Sequence, residues 1–273
     1  MFSFPYSNDS YSQLFRGETA ECVCQGLMDI FNYIGGVPTL LVFDNATGVG
    51  HRVMGQIHET ELFARFRAHY GFRIRFCNPY AGYEKGNVEN KVGTTRRNLF
   101  VPIPTYHDIE AYNRTLLDQH VKKASESHYK KGNVISELFE EDRKHFFLLP
   151  AKPFQVCRYE TCRADGYGKI CLDGKHFYST KPENHNKRVM VGIRAHYIDI
   201  LEPNGDLLVR HMRQYGNTRT DISDYSTSLE MLSKISEHGT TVDSARMHQS
   251  YSENILIISP IVFANLVFVF LVI

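Results

Sequence analysis

Residues 35–48 read GGVPTLLVFDNATG. Inside that stretch TLLVF (39–43) is an unbroken apolar run, the pattern of a strand covered on both faces. It stops at Asp44-Asn45, ahead of the loop ATGVG. Upstream, Ala20, Val23, Leu27, Ile30, Phe31 and Ile34 recur every three or four positions, so residues 18–34 form an amphipathic helix. Gly35-Gly36 is its stop, since glycines just past a helix end close it without steric cost. Residues 11–16 (YSQLFR) read as a short strand ahead of that helix. Downstream, TELFARFRAHY (60–70) has helical spacing in Leu62, Phe63, Phe66 and Tyr70, closed by Gly71. RIRFCNP (73–79) alternates arginine with apolar residues, a strand with one basic face. The segment 85–98 is placed on a helix. Strand–helix–strand–helix–strand–helix is the order of an α/β sheet.

Beyond this core, residues 107–148 read as charged helices with a break near Gly132, and Pro150 and Pro153 mark a boundary. From 154 to 213 short β-like runs alternate with the hairpin signals Asp165-Gly166, Asp173-Gly174 and Asn204-Gly205, which predicts a small β-barrel. The whole chain has 273 residues, 42% apolar and 22% charged, which excludes a disordered, collagen-like or multi-span membrane protein. With 31 Lys+Arg against 30 Asp+Glu, the net charge is +1, so any nucleic-acid affinity has to come from local basic patches. The six cysteines, at 22, 24, 77, 157, 162 and 171, match no zinc spacing and read as reduced thiols of a cytosolic protein. The first residues have no signal-peptide pattern.

The last nineteen residues, ILIISPIVFANLVFVFLVI, carry no charge. Roughly 20 such residues cross a bilayer. Pro260, Asn265 and the lack of a flanking Lys/Arg cluster weigh against an anchor, and a frameshifted tail is the favoured reading.

Chemistry concentrates at two carboxylates. Asp44 sits at the carboxyl end of a buried strand, where open α/β sheets place ligands. Glu89 sits on the helix after the next strand, and two converging carboxylates suit Mg²⁺ and phosphoryl transfer. Lys85, Glu89, Val92 and Arg96 are spaced four, three and four apart and share a helix face, with Arg97, Arg73 and Arg75 extending the basic patch. Plainer readings stand beside these: Asp-Asn after a strand is a common turn, and Lys/Glu at i,i+4 is a common solvated pair.

The stretch from Gly17 to Pro102 resembles the catalytic core of IstA-type transposases, integrase-like DDE enzymes of two-gene bacterial insertion sequences. The residues that carry the likeness are GGVPTLLVFDNATG (35–48), FRAHYGFRIRFCNPYAGYEKGNVENKVGTTRRNLFVPIP (66–104) and ISELFEEDRKHFFLLP (135–150). It continues through HFYSTKP (176–182) and HMRQY (211–215) to about Leu232. The resemblance implies an RNase H-like fold and three acids that bind Mg²⁺ or Mn²⁺ for DNA strand cleavage and transfer. By position, Asp44 resembles the second acid and Glu89 the third. Lys85, Lys91, Arg96, Arg97, Arg73 and Arg75 then become DNA contacts. It also implies a homo-oligomer working on element ends and target DNA in the bacterial cytoplasm, with an ATPase helper.

The likeness has departures. In such a core the first acid lies on a central first strand, and two more strands precede the helix. Here only YSQLFR is read before it, so the chain is expected to start inside the sheet, without the family's helix-turn-helix region. Asp9, in the turn-like string SNDS, is a poor substitute for the first acid. The expected organisation is an incomplete RNase H-like integrase core (1–104), a helical connector (105–153), a β-barrel (154–215) and an unrelated tail (233–273). The expected function is a transposase fragment, inactive alone. The alternatives are a non-catalytic DNA-binding or oligomerising remnant, and a membrane-tethered protein of unrelated function.

Overall fold

The computed structural model describes residues 1–43, 47–53, 56–77, 93–102, 104–228 and 270–271. Two short strands, β1 (Phe2–Ser3) and β2 (Ser10–Tyr11), precede helix α1 (Ala20–Ile34) and strand β3 (Leu40–Phe43). A hairpin of β4 (Gly50–Val53) and β5 (Gln56–Glu59) leads to helix α2 (Glu61–Tyr70) and strand β6 (Arg73–Phe76). Residues 93–99 are helical (α3), followed by α4 (Ile109–Lys123) and α5 (Ile135–Arg143). Seven strands come next: β7 (Arg158–Arg163), β8 (Lys169–Leu172), β9 (His176–Ser179), β10 (Arg188–Ile193), β11 (Tyr197–Leu201), β12 (Leu207–Met212) and β13 (Thr220–Ile222). A last two-residue strand, β14, is Phe270–Leu271.

The chain divides into two units. The first holds residues 1–158, 193–196 and β14. Its sheet has the order β2-β1-β14-β3-β6. β3 and β6 run parallel, Leu40 opposite Arg73 and Phe43 opposite Phe76. Leu41, Val42 and Phe43 are fully buried, as a strand covered on both faces requires. Against the sheet lies a core of α1 residues Val23, Leu27, Ile30 and Phe31 with Phe63 and Phe66 of α2. Both helices stop where the glycines predict: Gly35 (φ 74°) and Gly71 (φ 77°) take the left-handed conformation and donate their N–H to Phe31 and Arg67 carbonyls.

The strand expected over 11–16 is shorter than predicted and sits earlier. Only Ser10 and Tyr11 pair, with β1. The reason lies in α4: the Leu14 N–H donates to Asn113 Oδ1 at 2.6 Å, and Asn113 Nδ2 donates to the Leu14 carbonyl at 3.0 Å. A buried side-chain amide thus satisfies the backbone groups that a neighbouring strand would have taken. Next to it, Ser12 Oγ lies 2.6 Å from His120 Nε2 on the same helix. Two strands therefore precede α1 where one was expected, because β1 is too short to show a period in sequence.

The second unit contains residues 159–192 and, among the described residues, 197–228. Its strands form one sheet of order β12-β11-β10-β7 and another of order β13-β9-β8, and among the described residues these do not close into a barrel. Asp173 (φ 53°) and Gly174 (φ 68°) make the tight β8–β9 turn, and Asn204-Gly205 lies between antiparallel β11 and β12, as the hairpin signals predict. Asp165-Gly166 does not join paired strands. It turns the chain from one sheet to the other, held by Asp165 Oδ1 accepting from the Tyr167 and Lys169 N–H groups.

Candidate functional site

The site predicted from sequence is built on the ends of β3 and β6. Their parallel pairing brings both carboxyl ends to one edge of the sheet, where the Cys77 N–H donates to the Phe43 carbonyl at 2.9 Å. Residue 44 comes directly after Phe43, and the segment 78–92 directly after Cys77. Asp44, Lys85, Glu89 and Lys91 themselves lie outside the described residues.

Gly48 and Val49, a few residues past β3, are anchored on two sides. Thr60 Oγ1 donates to the Gly48 carbonyl at 3.1 Å, and the Thr60 N–H donates to the Val49 carbonyl at 2.9 Å. Gly48 also packs on the start of α1 so closely that a Cβ there would stand 2.9 Å from the Glu18 and Thr19 carbonyl oxygens. Backbone at that approach leaves room for glycine alone. The return of the loop after β3 is therefore fixed by the N-terminal ends of α1 and α2.

The four described basic candidates are all exposed. Arg73 and Arg75 alternate on β6 with half-buried Ile74 and Phe76, the basic face that the alternation predicts. Arg96 and Arg97 project from α3, and an Arg97 guanidinium N–H donates to Thr94 Oγ1 at 3.4 Å. Among the described residues no group of three or more His, Cys, Asp or Glu stands together as a metal cage, and the cysteines form no disulfide.

Several acids outside the predicted site have structural work, Glu21 and Asp29 among them unmarked by sequence reasoning. Asp9 is buried and accepts from the Ser10 N–H at 2.7 Å and from the Tyr11 hydroxyl at 2.8 Å. Glu21 is 2% exposed and accepts from Arg158 Nε at 2.7 Å. Asp29 lines a cleft of about 490 Å³ with Gln13, Gln25, Asn32, Glu110 and His196. Burial pushes its carboxyl up to about 6, against the opposing hydrogen bonds from Gln25 and Gln13. The i,i+4 pair Gln25/Asp29 is the one signal for it in sequence, and such pairs are common on helices.

Known proteins narrow the field. The chain is similar to insertion-sequence transposases. It is 28% identical over 214 residues to a transposase of Aminobacter aminovorans, a match covering 76% of this chain and 41% of that protein. It is 27% identical over 193 residues to the transposase for insertion sequences IS1326/IS1353 of Pseudomonas aeruginosa, covering 68% of this chain and 37% of the relative. The chain thus spans about two fifths of the length of the curated relatives it matches. No family model matches it. Among the described residues no helix is long and apolar enough to cross a membrane.

Proposed function

We propose that this chain carries part of the catalytic core of a DDE-type, IstA-like transposase with an RNase H-like sheet. In this reading Asp44 and Glu89 are two of its metal-binding acids, and the substrate is DNA. The observation that carries it is the joined carboxyl ends of β3 and β6, from which the segments bearing Asp44 and Glu89 depart, in a chain similar to transposases. The two strands ahead of α1 support it further, since they match the two that, in such a core, follow the acid-bearing first strand.

Two carboxylates are the hard oxygen donors that Mg²⁺ or Mn²⁺ prefers. Such a cation, when bound, stabilises negative charge at a DNA phosphate. The exposed Arg73, Arg75, Arg96 and Arg97 hold the phosphate backbone, joined by Lys85 and Lys91. The homo-oligomer and the ATPase helper belong to the same reading. Asp9 does not supply a third ligand, because its carboxylate is buried and engaged by Ser10 and Tyr11. The chain by itself is therefore inactive in strand transfer.

Three measurements test this. Strand-transfer assays in Mg²⁺ or Mn²⁺ should give no product from this chain, and product that Asp44→Ala abolishes would overturn the inactivity. Mn²⁺ binding should be lost in Asp44→Asn and in Glu89→Gln, and equal binding in all three proteins would remove both residues from the site. DNA affinity should fall with salt, and Arg73→Ala and Arg75→Ala should each reduce the log–log slope by about 1.

A further inference from the structure

One cleft of the first unit shares no residue with the site at the β3 and β6 ends. It lies between α1 and α4, measures about 490 Å³ and is lined mainly by polar side chains. That size falls within the roughly 300–1,000 Å³ of small-molecule sites. Asn113 and Leu117, each 4% exposed, form its floor, and Asn32 and Arg114 are exposed at its rim. One wall is His196, whose ring lies flat on Phe15 with centroids 5.1 Å apart and 8° between the planes.

Donors and acceptors in the cleft do not balance. Asn113 spends its amide on the Leu14 backbone. Gln25 Nε2 donates to Asp29 Oδ1 at 2.8 Å, and the Gln13 side chain donates to the same carboxyl. Gln13 Oε1 is then left buried with no hydrogen-bond partner. Such an acceptor costs free energy until a donor reaches it. Burial and the like charge of Glu110 both act against ionisation of Asp29, and the Arg114 charge at the rim is not among those acting on it.

The three acceptors come from three segments: Gln13 from the stretch between β2 and α1, Asp29 from α1 and Glu110 from α4. Among the described residues they belong to no metal cage, so a bare ion does not satisfy them. A guanidinium does: it holds five N–H donors in a fixed plane, reaches separated acceptors and brings the positive charge that Asp29 and Glu110 call for. We propose that the cleft between α1 and α4 is a binding site for a guanidinium group, held by Gln13, Asp29 and Glu110.

The test uses the full chain and two probes, agmatine and acetyl-arginine methylamide, with the lysine analogue of the second as control. Binding is followed by NMR at the Asp29 carboxyl carbon and the Gln13 side-chain amide. Both guanidinium probes should shift these signals, and the lysine analogue should bind at least about tenfold more weakly. The tighter of the two probes tells a free small molecule from an arginine side chain of a polypeptide. The titratable and charged groups facing Asp29 are Glu110 and Arg114 of α4, His196, Tyr33 of α1 and Tyr70 of α2. With its proton held to about pH 6, Asp29 is about one tenth ionised at pH 5 and about nine tenths at pH 7, so affinity should rise about tenfold over that range. Asp29→Asn keeps the shape; it should weaken binding at least about tenfold at pH 7 and leave a rise of at most about threefold, supplied by His196. Glu110→Gln should weaken binding at both pH values. No shift with either guanidinium probe, equal binding of the lysine analogue, or unchanged affinity in Asp29→Asn would overturn the proposal. If a variant does not fold, the comparison of probes on the unaltered chain decides alone.

Discussion

Asn113 does the work of a strand. Its amide receives and donates one hydrogen bond each at the buried Leu14 backbone, so truncating it leaves both groups unsatisfied. Asn113→Ala should destabilise the protein by about 2–4 kcal/mol, read from the shift in denaturant midpoint, because unpaired buried polar groups cost more than the bonds themselves gain. Asn113→Asp keeps the acceptor and loses the donor, and should fall between the two. Asp29 makes a different demand. Folded, it holds its proton to about pH 6, while an unfolded chain releases it near 3.8. Between those values the folded state binds more protons, so stability falls as pH rises from about 4 to 6, by up to about 3 kcal/mol. Asp29→Asn should remove that fall and stabilise the protein at pH 8 relative to pH 4. An unchanged pH profile would mean the carboxyl is hydrated in solution. Neither residue is legible in sequence, since an asparagine or aspartate on a charged helix face reads as solvated unless the facing element is known.

At the scale of elements, Gly48 is the test of how the loop after β3 is held. Gly48→Ala puts a methyl group against the Glu18 and Thr19 backbone and should lower the melting temperature by several degrees, about 1–3 kcal/mol. A neutral result would show that the start of α1 yields. Other elements are readable because their signal is local. α1 and α2 declare themselves by apolar residues every three or four positions and by Gly35 and Gly71 at their ends, and β3 by an unbroken apolar run. β6 declares itself by alternation, and its arginines are exposed as that alternation requires. β1 and β14 have two residues each, too few for any period, and what makes them strands is the neighbour they meet. The extent of β2 escapes sequence reading for the same reason, because Asn113 is ninety-nine residues from Leu14. Asp165-Gly166 shows the converse, a correct turn signal that leaves open which strands the turn connects.

At the scale of the whole molecule, charge is nearly balanced, +1 with a sequence pI near 7.7. Self-repulsion is weakest there, so light scattering should find the solubility minimum near that pH and relief on acidification as net positive charge grows. His196 and His211 should lag, because burial holds both below the ordinary imidazole range. The place of β14 in the sheet has a consequence in time. Phe43 and Phe270 are neighbours in the ladder, yet 270 − 43 = 227 residues separate them along the chain. A ribosome adding about 5–20 residues per second needs roughly ten to forty-five seconds to travel that distance. Throughout that interval β1 and β3 exist on the nascent chain while the segment that joins them does not. The centre of this sheet is the last part of it that synthesis can complete, and until then it is open to any other apolar strand that arrives first.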